Sequence, residues 1–141
     1  MDVRPPRDAG ELRQALALRE RVFCGEQGVS LAAERDGHDD EALQLVAVED
    51  GRVIGTCRLL FGTGAAFLGR LAVERSERRR GVAAALLRDA AERARVAGVA
   101  RISLHAQLDV RELYSGLGYV EHGEPFVQEG IDHVTMEKSL A

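Results

Sequence analysis

The chain has 141 residues, 45% of them hydrophobic and 30% charged, with a net charge of −4 at pH 7. That length suits one domain, 1–141, able to bury about two-thirds of the surface its unfolded chain exposes. The acidic balance argues against a general nucleic-acid binder, whose domain is usually basic, and no stretch approaches a membrane span.

Asp2 to Pro5 reads as a short edge strand ending in prolines, which cannot donate to a ladder. Asp8 is a candidate N-cap for a helix running to about Phe23, with Leu12, Ala15, Leu16, Arg19, Val22 and Phe23 at helical spacing. Gly25 and Gly28 are expected to break it, and Leu31 to Glu41 reads as a polar loop or short helix dense in acids. Leu43 to Glu49 and Val53 to Phe61 read as strands joined by an Asp50-Gly51 hairpin turn. After a turn at Gly62 to Gly64, Ala66 to Glu74 is the third strand of this meander.

Arg80 to Ala97 carries apolar residues at 82, 83, 86, 87, 90, 94 and 97, one face of a helix that Gly98 ends. Arg101 to His105 reads as a strand and Val110 to Leu117 as a short helix stopped by Gly118. Tyr119 to His122 and Asp132 to Lys138 read as two final strands. The order predicts a mixed α+β sandwich. Cys24 and Cys57 have no metal-ligand spacing and read as free thiols. With no apolar signal region at the Met-Asp-Val-Arg-Pro-Pro start, the expected location is cytoplasmic.

Chemistry concentrates where the third strand meets the long helix. Small residues at a strand-to-helix turn let the backbone approach a ligand and aim its N–H groups outward. Arg70, Arg75, Arg78, Arg79 and Arg80 bunch positive charge there, a local anion site on an acidic body.

Arg78-Arg79-Arg80-Gly81-Val82-Ala83 resembles the pyrophosphate loop of the GNAT superfamily of N-acetyltransferases, Arg/Gln-x-x-Gly-x-Gly/Ala. Leu113-Tyr114-Ser115-Gly116-Leu117-Gly118-Tyr119 resembles that family's Phe/Leu-Tyr-x-x-x-Gly-Phe/Tyr signature. Arg21 to Val29, with its Val22-Phe23 and Glu26-Gln27-Gly28-Val29, is similar to a segment of small bacterial acetyltransferases of the ElaA-like kind. The acidic stretch Glu34 to Asp40, Leu104 to Gln107, and Gly130 to Met136 resemble the same group, so the likeness runs over nearly the whole chain.

The resemblance implies a GNAT-type α/β/α sandwich: a mixed, mainly antiparallel sheet of about seven strands with about four helices. It implies transfer of an acetyl group from acetyl-coenzyme A to a primary amine, the acceptor being a small molecule. It implies a cofactor grip by Arg78, Arg79, Arg80, Gly81, Val82, Ala83 and Ala84 and by a splayed strand at Leu71, Ala72 and Val73, with Gln107 standing where the family usually has Asn. Tyr114 is the implied proton donor to the departing thiolate. An unperturbed phenol titrates near about 10 and a thiol near about 8.5, so that transfer is only mildly uphill.

Four further readings stay open from sequence. Glu26, in the loop that walls the acceptor cleft in the family, either accepts a proton from the acceptor ammonium or binds that ammonium, or is a helix-end carboxylate in solvent or on loop amides. His105 is either a general base or a buried neutral ring with one hydrogen bond. His133, on the expected last strand, is a candidate to reach the acceptor cleft. The acids Glu34, Asp36, Asp39, Asp40 and Glu41 are either a solvated loop or a cleft lining that favours a cationic acceptor. No histidine pair has zinc spacing, so no metal is expected. No nucleic acid or membrane partner is expected, and a homodimer is compatible with the resemblance. The competing reading is a non-catalytic acyl-coenzyme A sensor.

Overall fold

A computed structural model describes residues 1–141. Seven strands form one sheet: β1 (Asp2–Arg4), β2 (Leu43–Glu49), β3 (Arg52–Phe61), β4 (Ala65–Val73), β5 (Arg101–Gln107), β6 (Val120–Gln128) and β7 (Ile131–Ser139). Their order is β1-β2-β3-β4-β5-β7-β6, with β4 and β5 parallel and every other neighbouring pair antiparallel. Four α-helices complete the sandwich: α1 (Ala9–Arg19), α2 (Leu31–Glu34), α3 (Val82–Val96) and α4 (Arg111–Ser115). This is the expected α+β architecture. No helix is long and apolar enough to cross a membrane.

Each face of the sheet has its own core. On one, Ala15, Leu18 and Val22 pack on Val46, Val48, Val53 and Ala72. On the other, Val82, Leu86, Leu87, Ala90 and Ala94 of α3 pack on Leu45, Leu68, Leu104 and Met136, and Tyr114 joins this side. At about 1.5–3 kcal/mol per buried large aliphatic side chain, the α3 face carries most of the apolar stabilisation. Gly55 lets α3 sit this close: a Cβ there would lie 2.7 Å from Val82 Cγ1 and 2.9 Å from Leu86 Cδ1.

Three elements depart from expectation. The first helix does not break at Gly25. It runs on as a π-helical turn, Glu20–Glu26, and the chain turns at Gly28, whose φ is +73°. Strand β6 extends to Gln128 because a bulge between His122 and Phe126 absorbs Gly123, Glu124 and Pro125, residues that read as loop. The helix expected from Val110 is a 3₁₀ turn, Leu108–Val110, followed by the short α4, since the Gly116 and Gly118 region cannot extend it.

Candidate active site

Strands β4 and β5 are paired only from Ala65–Arg101 to Leu68–Leu104. Beyond that point β4 continues to Val73 and β5 to Gln107 without bonding one another. The cause is local. Thr56 pairs with Ala72 and Arg58 with Gly69, so Arg70 and Leu71 together face Cys57 as a β-bulge. Arg70 holds a φ of +56°, unusual for a residue with a side chain. A bulge bends its strand, and here the bend begins just past the last β4–β5 pair. The result is a slot through the sheet, part of a cleft of about 740 Å³.

Leu71, Ala72 and Val73 line the slot on one side and Gln107 on the other. One end opens on the start of α3. Its N-cap, Gly81, sits at φ +79° and provides no side-chain cap, so the first-turn N–H groups have no partner from a capping side chain. A Cβ on Gly81 would meet nothing within 4 Å, so the approach to those donors is open. Arg78, Arg79, Gly81, Val82, Ala83 and Ala84 all line the cleft. Open amides at the positive end of a 15-residue helix suit an anion such as a diphosphate.

Arg80, expected with this group, does not line the cleft: its guanidinium bonds Glu49 at 3.0 Å and also pairs with Glu77. The left-handed residues Arg79 and Gly81 on either side turn it away. Arg70 lines the cleft, but its guanidinium is committed to the α2 loop. Its Nε donates to Glu34 Oε2 at 3.0 Å and its Nη2 to Asp36 Oδ2 at 3.2 Å. The bunched arginines therefore do not form one anion site: Arg70, Arg78 and Arg79 line the cleft, Arg75 and Arg80 do not, and the Arg70 guanidinium is taken up by Glu34 and Asp36.

Tyr114 lines the cleft from the α3 side. It is 7% exposed and stands edge-on to Tyr119 at 5.9 Å. Burial, with the nearby Cys57 thiol, raises its phenol above the ordinary range and keeps it protonated at neutral pH. Cys57 is buried and pushed up to about 12, chiefly by burial, and neither cysteine lines the cleft.

The opposite mouth belongs to the other face of the sheet. Phe67, His105, Gln128, Ile131 and His133 line it. His105 is exposed, not a buried ring: it stands edge-on between Phe67 and Phe126, 4.9 Å from each, with Nδ1 3.2 Å from Gln128 Oε1. Gln107 donates its amide N–H to Gln27 Oε1 at 2.9 Å, tying β5 to the π turn. Glu26 is neither a free carboxylate nor bonded to loop amides. It forms a two-pronged pair with Arg78, at 2.8 and 2.9 Å, and Arg78 holds its carboxyl below the usual range.

The acids of the α2 loop are committed as well. Arg19, fully buried, donates to Glu34 at 2.6 Å and to Asp39 at 2.7 Å, and Arg58 joins Asp36 and Asp39. Glu34 touches the cleft with every charge already matched. Only Asp40 and Glu41 of that run stay outside the network, and both are exposed. Sequence gave no sign of this, because Arg19 sits on the apolar stripe of α1 and its partners lie 15 or more positions away.

The family described as acetyltransferase (GNAT) domain matches residues 11–140, and the chain belongs to it. It is 30% identical over 129 residues to the uncharacterized N-acetyltransferase YjcF of Bacillus subtilis, covering 91% of this chain and 92% of that protein. Among solved structures it is similar to an acyl-CoA N-acyltransferase of Pseudomonas aeruginosa: TM-score 0.87, 26% identity, 98% of this chain and 99% of that one. ElaA of Escherichia coli shares the fold, with a TM-score of 0.87 at 19% identity over 98% of this chain and 99% of its own.

Proposed function

We propose that the protein is an N-acetyltransferase that moves the acetyl group of acetyl-coenzyme A directly onto a primary amine of a small-molecule acceptor. The observation that carries this reading is the slot between β4 and β5, open at one end to the uncapped amides of α3. The amides of Gly81 to Ala84, with Arg79 beside them, suit the pyrophosphate. The β4 edge at Leu71 to Val73 lacks a strand partner on the β5 side and suits the amide-bearing arm.

When bound, acetyl-coenzyme A supplies an acetyl group activated as a thioester, with a thiolate as leaving group. A backbone N–H near Leu71 or Ala72 stabilises charge growing on the carbonyl oxygen. Tyr114, on the α3 side of the slot, returns a proton to sulfur. The acceptor enters on the side of Phe67, His105 and His133. The new nitrogen–carbon bond replaces the carbon–sulfur bond. An acceptor ammonium gives up two protons: one is released to solvent, and the other balances the proton delivered to sulfur. No acyl-enzyme is needed, in keeping with cysteines that stand outside the cleft.

The test is thiol release from acetyl-coenzyme A with a panel of amines. Amine-dependent release with an acetylated product is expected. Calorimetric binding of coenzyme A with no release from any amine would overturn the enzymatic reading in favour of an acyl-coenzyme A sensor.

A further inference from the structure

We infer that His133 is the base that takes the first proton from the acceptor ammonium, an assignment that rests on the N-acetyltransferase reading above. His133 Nδ1 lies 2.7 Å from the carbonyl oxygen of Ile131. A carbonyl oxygen has no proton to give, so the contact requires Nδ1–H to donate. In the neutral ring the lone pair is then on Nε2. When Nε2 takes a proton the same carbonyl faces an imidazolium, and the bond becomes charge-assisted. A base oriented by a third group is the arrangement that effective proton transfer needs.

Packing fixes the ring further. It is 8% exposed and stacked on Phe126 at 5.9 Å and 20°. Its cross-strand partner is Gln107, the last residue of β5, beyond the point where β4 and β5 part. His133 therefore stands one strand from the slot, across β5, and it lines the cleft. His133 and Val134 are adjacent in β7, and Val134 belongs to the α3-side core with Tyr114, so His133 is on the opposite face. Direct attack needs this disposition: the amine comes from one face with its base, and the sulfur leaves toward an acid on the other.

The rival groups are less suited. Glu26 is held by Arg78 with both oxygens. His105 meets a side-chain amide, which can present either oxygen or nitrogen, so its tautomer is not fixed. It also stands exposed, without the burial that holds the His133 ring. The titratable and charged groups that share the cleft with His133 are His105 and Asp109 from the β5 side, Glu129 from the β6–β7 turn, Glu26 from the π turn, Glu34 from α2, Arg70 from β4, Glu77, Arg78 and Arg79 ahead of α3, and Tyr114 from α4.

In the proposed step Nε2 takes one ammonium proton. The freed nitrogen lone pair forms the bond to the carbonyl carbon, the carbon–sulfur bond breaks, and Tyr114 protonates the sulfur. The imidazolium returns its proton to solvent, and the second proton lost by nitrogen restores the phenol.

Two measurements test this on the full chain. The nitrogen-15 spectrum of wild type above neutral pH should show His133 with the proton on Nδ1; a proton on Nε2 overturns the assignment without reference to any acceptor. His133→Asn keeps a donor for the Ile131 carbonyl and removes the base. With acetyl-coenzyme A and an alkylamine active in the panel, kcat should fall about 10²–10³-fold. The calorimetric coenzyme A affinity should be unchanged, the acid limb of the kcat profile lost, and His133→Ala partly rescued by added imidazole. A His133→Asn variant within threefold of wild type, acid limb intact, overturns the assignment while leaving the acetyltransferase reading standing. A wild type that binds coenzyme A yet releases thiol with no amine overturns both.

Discussion

Tyr114 and Glu26 show how environment decides a side chain's use. The Tyr114 phenol is buried and keeps its proton at neutral pH, so it stands as a proton donor and not as a base. Tyr114→Phe should lower kcat by about 10²-fold with coenzyme A affinity within twofold, read by steady-state kinetics and calorimetry. Unchanged turnover would remove its acid role. Glu26 is the reverse: Arg78 beside it favours the charged form, which makes it a weak base. An exposed pair of this kind contributes at most about 1 kcal/mol. Glu26→Gln should therefore release Arg78 and change coenzyme A affinity by no more than about fivefold, and leave the acid limb of the pH profile in place.

At the scale of elements, the start of α3 depends on two glycines for different reasons. Gly55 is a matter of space, with Val82 and Leu86 filling the place a Cβ would take. Gly55→Ala should cost about 1–3 kcal/mol, lower the melting temperature and weaken coenzyme A binding by shifting the helix that presents the amides. Gly81 is a matter of backbone, at φ +79° with open space around it. Gly81→Ala should cost only about 1–2 kcal/mol of left-handed strain. Thermal denaturation and calorimetry on both variants separate the effects. The strand–turn–helix order around these glycines was legible because alternation and helical periodicity are local. The β4 bulge was not: it shows only in the register between β3 and β4, and Arg70 at φ +56° gives no compositional warning. The π turn was hidden similarly, by a glycine that normally ends a helix.

Across the molecule, three arginines and three acids hold the α2 loop to α1, β3 and β4. Removing one partner strands a buried charge, so Arg19→Ala or Glu34→Ala should cost about 3–5 kcal/mol in urea unfolding. The network also sets acid sensitivity. Burial opposes ionisation of Asp39, but the Arg19 guanidinium outweighs it and lowers the folded carboxyl to about 2, from 3.8. A carboxyl depressed in the folded state stabilises above its unfolded value, and that stability is lost as pH falls through the folded one. Unfolding midpoints should drop between about pH 4 and pH 2, and Asp39→Asn should flatten that part of the curve.

Sequence by itself determined the layers, the strand order along the chain, the glycine-led start of α3 and the Tyr114 segment, because each is written in spacings of a few residues. Tertiary structure alone decided which charges are free. Arg80 turns to Glu49, Glu26 to Arg78, the acidic run to Arg19, Arg58 and Arg70, and His133 to the Ile131 carbonyl. The reason is physical: a charged or titratable group takes its role from whatever lies within a few ångströms, and in this fold those neighbours are mostly distant in sequence.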